Sequence, residues 1–278
     1  MNPREKKMLD LLKKLKNEFG VVAVKAEFEA EGTRVDELLR LLELTFRSDL
    51  KLALKIGGCE AVRDLIESKT FGCDYIIAPM IESAYGLSKF IEAKEKIYKN
   101  SKNGTQFLFN LETKTCFDDI QSVIKLAKNN LDGCVFGRVD YTASKNMKPS
   151  KCGSRNKINS PKISNDVLKA SKMSKNNGLD FVDGGGVSID ALPVLRKFKS
   201  SHLTRFETRK IVFSADALDI KNIDTGLLSA VEFELNWLKN KREYYKVIFD
   251  EDKLRIHMLE SRWKSLIEGR KSNIRLAS

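Results

Sequence analysis

The sequence predicts an α/β fold of the (β/α) barrel class, and three observations carry that reading. Short apolar runs of strand length alternate with amphipathic helical segments along the chain. At its centre, Phe107 to Glu112 and Gly133 to Asp140 are two such runs, each ending in a carboxylate, with a helical segment, Phe117 to Asn130, between them. Strand, helix, strand implies parallel neighbours joined by a crossover. The length, 278 residues, is ordinary for one α/β barrel. Seven strands are legible, one short of a closed barrel, and an open doubly wound sheet fits the same alternation. The absence of G-x-G-x-x-G after the first strand argues against a dinucleotide-binding sheet.

Each element follows from local pattern. Lys6 to Phe19 repeats Met8, Leu11, Leu12, Leu15 and Phe19 at helical spacing and stops at Gly20, a good helix-terminating residue. Val21 to Phe28 is a strand running into Glu27, Glu29 and Glu31. Val35 to Arg47 is helical, Leu52 to Gly57 a strand with Lys55 near its end, and Glu60 to Ser68 helical. Tyr75 to Met80 is a strand with Pro79 near its end, followed by Glu82 and a helix from Ala84 to Tyr98. After the central pair comes a polar, basic stretch, Tyr141 to Ser164, with Pro149, Gly153 and Pro161, which reads as a mobile loop. Asn165 to Asn177 is helical, Leu179 to Asp183 a short strand opening onto Gly184-Gly185-Gly186, and Ile189 to Phe198 helical. Glu207 to Phe213 is the seventh strand. Asn222 to Lys246 is a long amphipathic helix. The expected organisation is one barrel domain over 1–278, with an N-terminal helix (1–20), the basic loop (141–164) and a C-terminal helical extension (222–278).

Composition narrows the function. Hydrophobic content of 42% suits a sizeable core, and no apolar run approaches the roughly 20 residues that span a bilayer. The charged N-terminus does not read as a signal peptide. Five cysteines without a C-x-x-C pair fit free thiols in a reducing cytoplasm and speak against zinc. The net charge of +12 points to an anionic partner. The excess concentrates in Lys145 to Lys175, where Asp166 is the one acid, and no aromatic residue interleaves with these cations as nucleic-acid binding would want. A small anionic substrate fits better than nucleic acid or a membrane.

The strand ends supply the chemistry. In a parallel sheet Glu112 and Asp140 emerge side by side at the edge where α/β sites sit. Adjacent carboxylates repel unless a cation or proton lies between them, and a hard divalent ion with oxygen ligands resolves the conflict. The plainer alternative makes both acids helix caps or solvated turn residues. Lys55 and Arg138 flank the pair and could neutralise a substrate carboxylate. A Schiff base on Lys55 is the other use of that residue. The two histidines, His202 and His257, follow no strand, so neither a Ser-His-Asp triad nor a His-ligated zinc site is expected.

Ile77-Ala-Pro79-Met80-Ile-Glu82-Ser83, Asn110-Leu-Glu112-Thr113 and Phe136-Gly137-Arg138-Val-Asp140 resemble the HpcH/HpaI aldolase and citrate lyase beta-subunit family of the phosphoenolpyruvate/pyruvate-binding TIM-barrel superfamily. The resemblance runs from about Val21 to about Ala217. It implies a (β/α)8 barrel whose first strand is degenerate or absent, with C-terminal helices. It also implies Mg2+ or Mn2+ held by Glu112 and Asp140, with the Gly137–Arg138 backbone close to the substrate carboxylate. The implied activity is a metal-dependent carbon–carbon lyase of the aldol or Claisen type, acting through an enolate on a 2-oxo acid or acyl thioester, phosphorylated or CoA-linked. Candidate catalytic residues are Lys55, Arg138 and Glu29. Candidate substrate contacts are Lys55, Gly137, Arg138, Pro79 and Glu82. Three departures stand out. Lys55 replaces the family's carboxylate-binding arginine. No histidine stands near the first strands, where the aldolase branch has its base. Arg138 occupies the place of a proline. They support the alternative of a regulatory or non-catalytic barrel that binds an anionic ligand. The basic loop, starting at Asp140, would order over a substrate with a distal anionic group. The helix Asn222 to Lys246, with Leu227, Leu228, Val231, Leu235 and Leu238, has apolar surface enough for a homo-oligomer.

Overall fold

Eight strands close a barrel in the order β1 to β8 in the computed structural model, which describes residues 1–99, 104–147 and 155–276, the side chains of 155, 156 and 264–276 excepted. The chain divides into two units, Met1–Glu234 and Leu235–Ser278. In the first, helix α1 (Pro3–Phe19) starts at Asn2, whose side chain accepts from the Glu5 N–H, and ends at Gly20 in the left-handed region (φ 64°). A Cβ at Gly20 would lie 3.2 Å from that of Ala217, so glycine serves both the turn and the close packing. There follow β1 (Val21–Glu27), α2 (Val35–Arg47), β2 (Lys51–Lys55), α3 (Val62–Thr70), β3 (Tyr75–Ala78), α4 (Ala84–Tyr98), β4 (Gln106–Leu111), and α5 (Lys114–Asp118) with α6 (Ile120–Ala127). Next come β5 (Gly133–Gly137), α7 (Arg138–Ser144), α8 (Arg155–Ile158), α9 (Pro161–Asn176), β6 (Asp180–Gly184), α10 (Leu192–Ser201), β7 (Arg205–Glu207) and β8 (Ile211–Ser214).

Strands β1 to β7 pair in parallel, and β8 runs antiparallel to both β7 and β1. The expected seventh strand is therefore a hairpin. Its turn is closed by Thr208, whose N–H donates 2.9 Å to the Ile211 carbonyl while its hydroxyl accepts from the Ile211 N–H at 3.1 Å. The β-rich run Glu207 to Phe213 hides that reversal in the sequence. Among the described residues no strand precedes β1, which follows directly on α1: the eighth strand is supplied by the hairpin at the other end, where β8 is reversed.

The expected loop from Tyr141 to Ser164 is helical at both ends. Tyr141 is fully buried, edge-on to Phe136 at 4.9 Å between ring centroids, and this holds α7 down. Pro161 begins α9 instead of breaking a loop, the first helical turn being where proline is tolerated. Lys148 and Lys151 lie outside the described residues. Lys145 is committed, 2.7 Å from Asp166 Oδ2 and over the Tyr141 ring.

Inside the barrel, alternate positions on each strand face the lumen. Ala23, Ala53, Tyr75, Ile77, Leu108, Val135, Val182 and Val212 form an apolar layer. Helix α11 (Ile223–Leu276) is 54 residues long. In the first unit Ile223, Leu227, Ala230 and Phe233 are its buried large or apolar side chains, with Gly226 and Ser229 beside them. Among the described residues no helix is long and apolar enough to cross a membrane.

Candidate active site

The step above the apolar layer is charged. Continuing the lumen-facing alternation past Ala23 gives Lys25 and Glu27, past Ala53 gives Lys55, and past Leu108 gives Asn110 and Glu112. All of these are buried, and Glu207 at the end of β7 joins them.

Glu112 is the centre of this rim. Its Oε1 accepts from the Met80 N–H and its Oε2 from Asn110 Nδ2, each at 2.8 Å. Met80 reaches that position with φ at 51°, an unfavourable conformation for a non-glycine residue, which its bond to Glu112 helps hold. Gly137 on the neighbouring strand leaves the space the carboxylate fills, since a Cβ there would lie 2.7 Å from both Cβ and Oε2 of Glu112. Burial pushes the Glu112 carboxyl above its ordinary value, and the charge of Asp140 pushes the same way. Lys55 and the Met80 and Asn110 hydrogen bonds oppose them. Asp140 is exposed, in the first turn of α7 directly after β5.

A belt of ion pairs runs around the rest of the rim. Lys25 binds Glu207 and lies 3.3 Å from Glu27. Arg209 approaches Glu27 at 3.7 Å, Lys55 meets Glu29 at 2.8 Å, and Lys210 binds Glu31. For Lys55 burial works against the charged form, but Glu29, Glu27 and Glu112 outweigh it and raise its pKa. A lysine so held is an anion-binding cation and a poor Schiff-base nucleophile. Glu27 is held below the ordinary carboxylate value: burial is overcome by Lys25, Lys55 and Arg209.

One expected rim residue is elsewhere. Arg138 is fully buried, its Nε 2.9 Å from Asp183 Oδ2, its Nη1 bonded at 2.6 Å to Asn159 Oδ1, and its guanidinium over the Phe198 ring of α10. It points between sheet and helices and does not reach a substrate at the mouth. Asp183 follows lumen-facing Val182 and so turns to that same outer side. Neither Asp183 oxygen has a well-aligned hydrogen bond among the described residues, so the pair is held by close approach and not by an aligned hydrogen bond. The glycine run after Asp183 serves packing: a Cβ on Gly185 would lie 2.8 Å from the Val139 amide nitrogen. Pro79 is buried, and the rim contact comes from the next residue, Met80. Glu82 is exposed ahead of α4. His202 bonds the Leu179 carbonyl at 2.9 Å and does not stand at the rim, and His257 lies on α11 in the second unit.

Residues missed in the sequence are Lys25, Asn110, Glu207 and Lys210. Lys25 had a signal: a lysine at lumen parity in an apolar strand needs a partner. Glu207 and Lys210 were hidden inside the unrecognised hairpin.

This rim suits a hard divalent cation. Glu112 and Asp140 offer oxygen donors just past the ends of adjacent strands, and a cation between them would offset the burial penalty and the repulsion that raise Glu112. No three His, Cys, Asp or Glu side chains converge among the described residues, so water and substrate oxygens would complete the shell, as is usual for Mg2+. The thiols are unsuited to the task, since burial pushes Cys73, Cys116 and Cys134 up to about 12.

Comparison with known proteins agrees with this architecture. The family model described as HpcH/HpaI aldolase/citrate lyase matches residues 34–186, more than half of the chain, a span that includes Lys55, Glu112 and Asp140. The crystal structure of an HpcH/HpaI aldolase from Desulfitobacterium hafniense DCB-2 is similar with a TM-score of 0.54 at 13% identity, over 76% of this chain and 84% of that one. That of an HpcH/HpaI aldolase/citrate lyase family protein from Burkholderia cenocepacia J2315 gives 0.55 at 12% identity, over 81% of this chain and 99% of that one. No functionally curated protein matches the sequence.

Proposed function

The chain belongs to the HpcH/HpaI aldolase/citrate lyase family, and we propose from that premise that it is a carbon–carbon lyase of the aldol or Claisen type. Its substrate is a small 2-oxo acid or acyl thioester bound at this rim. Glu112 and Asp140 would hold Mg2+ or Mn2+, which when bound supplies a Lewis acid for the charge that develops on the substrate's carbonyl oxygen. Lys55, kept protonated by its acidic neighbours, meets the substrate carboxylate as a point charge. Glu29 steadies the Lys55 ammonium at 2.8 Å and reaches solvent, with its side chain 30% exposed. That makes it the carboxylate placed to move a proton at the carbon beside the carbonyl. Glu27, held ionised by three cations, is a weak base. A phosphate or CoA moiety at the substrate's far end would extend toward the basic segment that starts after Asp140.

The observation that carries this reading is Glu112: a buried carboxylate, held on both oxygens, one strand from Asp140 and under the charge of Lys55. Mn2+ titration by calorimetry is the test. Glu112→Gln and Asp140→Asn are each expected to weaken binding by about 100-fold or more and to abolish metal-dependent deuterium exchange at the methyl group of pyruvate. Unchanged Mn2+ affinity in Glu112→Gln would overturn the assignment. Tight metal binding without exchange in any 2-oxo acid would leave an anion-binding barrel in place of a lyase.

A further inference from the structure

The exposed face of α11 carries a heptad repeat. Leu228, Val231, Leu235, Leu238, Arg242, Tyr245, Phe249, Asp252, Ile256, Leu259 and Trp263 follow one another at alternating spacings of three and four. The pattern holds for more than four heptads, enough to specify a coiled coil. Leu235, Leu238, Phe249, Ile256 and Leu259 are between 49% and 66% exposed, as are Leu228, Val231 and Trp263. A single soluble helix does not need a seam of this kind. The strict 3.5-residue period is that of two helices supercoiling about each other.

The two polar positions in the seam name the occupant and its direction. Take Val247 as centre. Tyr245 and Phe249 lie two residues either side of it, Arg242 and Asp252 five, Leu238 and Ile256 nine, Leu235 and Leu259 twelve, and Val231 and Trp263 sixteen. An antiparallel pairing of two identical helices about that centre seats each of these residues opposite its counterpart. Every layer is then apolar on apolar, except one, repeated by symmetry, in which an arginine faces an aspartate. A parallel, in-register pairing would stack Arg242 on Arg242 and Asp252 on Asp252. Desolvated like charges weaken association by about a hundredfold or more. The exposed flanks lean the other way. In the parallel arrangement Glu234 meets Lys239 and Arg255 meets Glu260, and in the antiparallel one Lys239 meets Lys253. Exposed pairs are weak and screened by salt whereas seam charges are not, so once salt screens the flanks the seam decides. We infer that α11 pairs with α11 of a second copy as an antiparallel, two-fold symmetric coiled coil centred on Val247.

Sedimentation equilibrium of the full chain tests this. The parent should be a dimer. Arg242→Asp, at an exposed position that leaves the fold intact, puts a carboxylate against Asp252 of the second copy in both symmetry-related layers and should weaken the dimer at least about tenfold. The double variant Arg242→Asp/Asp252→Arg should restore it, because antiparallel pairing then again joins opposite charges. A parallel coiled coil would show no loss in the single variant, since one stacked pair of like charges replaces another. A monomeric parent, or a dimer indifferent to Arg242→Asp, overturns the proposal.

Discussion

Gly137 shows how one atom can decide a site. Its backbone conformation needs no glycine, yet a methyl group there would occupy the place of the Glu112 side chain, 2.7 Å from two of its atoms. Close-packed interiors relax little, so Gly137→Ala is expected to displace the Glu112 carboxylate and destabilise the fold by about 1–3 kcal/mol. A urea midpoint and a Mn2+ titration check the two halves. An alanine variant with the parent's stability and Mn2+ affinity would show that Glu112 has room the structure does not give it. At this scale Glu112 and Asp140 were legible because each ends an apolar run abruptly. The direction of Arg138 was not. It shares the turn with Asp140, but its side chain lies under α10 beside Asp183. Strand parity makes Asp183 an outward residue, and an outward buried acid demands a cation. Without the register of β6, the sequence could not assign that cation.

Between elements, the Arg138–Asp183 pair ties the start of α7 to β6, and it makes stability depend on pH. Burial pushes the Asp183 carboxyl up to about 7, with Glu207 reinforcing and Arg138 opposing. The folded chain thus holds this proton more tightly than the unfolded chain, whose aspartates titrate near about 3.9. Its contribution to stability is full below about pH 4 and is lost as the pH rises through about 7. Unfolding midpoints measured from pH 4.5 to 8 should fall with pH in the parent and fall less in Asp183→Asn. Parallel curves for the two would show that Asp183 is ionised throughout. The elements themselves were mostly legible, because helical and strand periods differ. The failures came where a turn is built by side chains the pattern ignores. Thr208 closes the β7–β8 hairpin with its own hydroxyl, so no Gly or Pro marks the reversal. At the basic segment, Pro161 was read as a breaker where it starts a helix. The hairpin also hid Glu207 and Lys210, and with them half of the belt that holds Lys25, Glu27 and Glu31 in place.

For the molecule as a whole, closure of the barrel was implied by seven strands and became definite only with the eighth. Closure is what brings Lys25 of β1 against Glu207 of β7, 182 residues apart in the chain. The apolar excess on the last helix is visible in sequence, but its partition into a buried and an exposed face needed the fold. That partition carries a last consequence. In the antiparallel dimer the attractive Arg242–Asp252 pairs sit in the desolvated seam. The like-charged contacts, Lys239 with Lys253, Lys246 with its own copy, Lys241 with Arg255 and Glu232 with Glu260, sit on the flanks, on a chain of net charge +12. Salt screens exposed charges far more than buried ones, the Debye length shrinking from about 10 Å at 0.1 M to about 3 Å at 1 M. Raising the salt from about 0.1 M to about 1 M removes the repulsion and leaves the seam attraction. The dimer should therefore tighten, by a few-fold in the dissociation constant measured by sedimentation equilibrium. An assembly held by exposed ion pairs would loosen over the same range, so a dimer that dissociates in high salt would place the attractive charges on the flanks and refute the antiparallel seam.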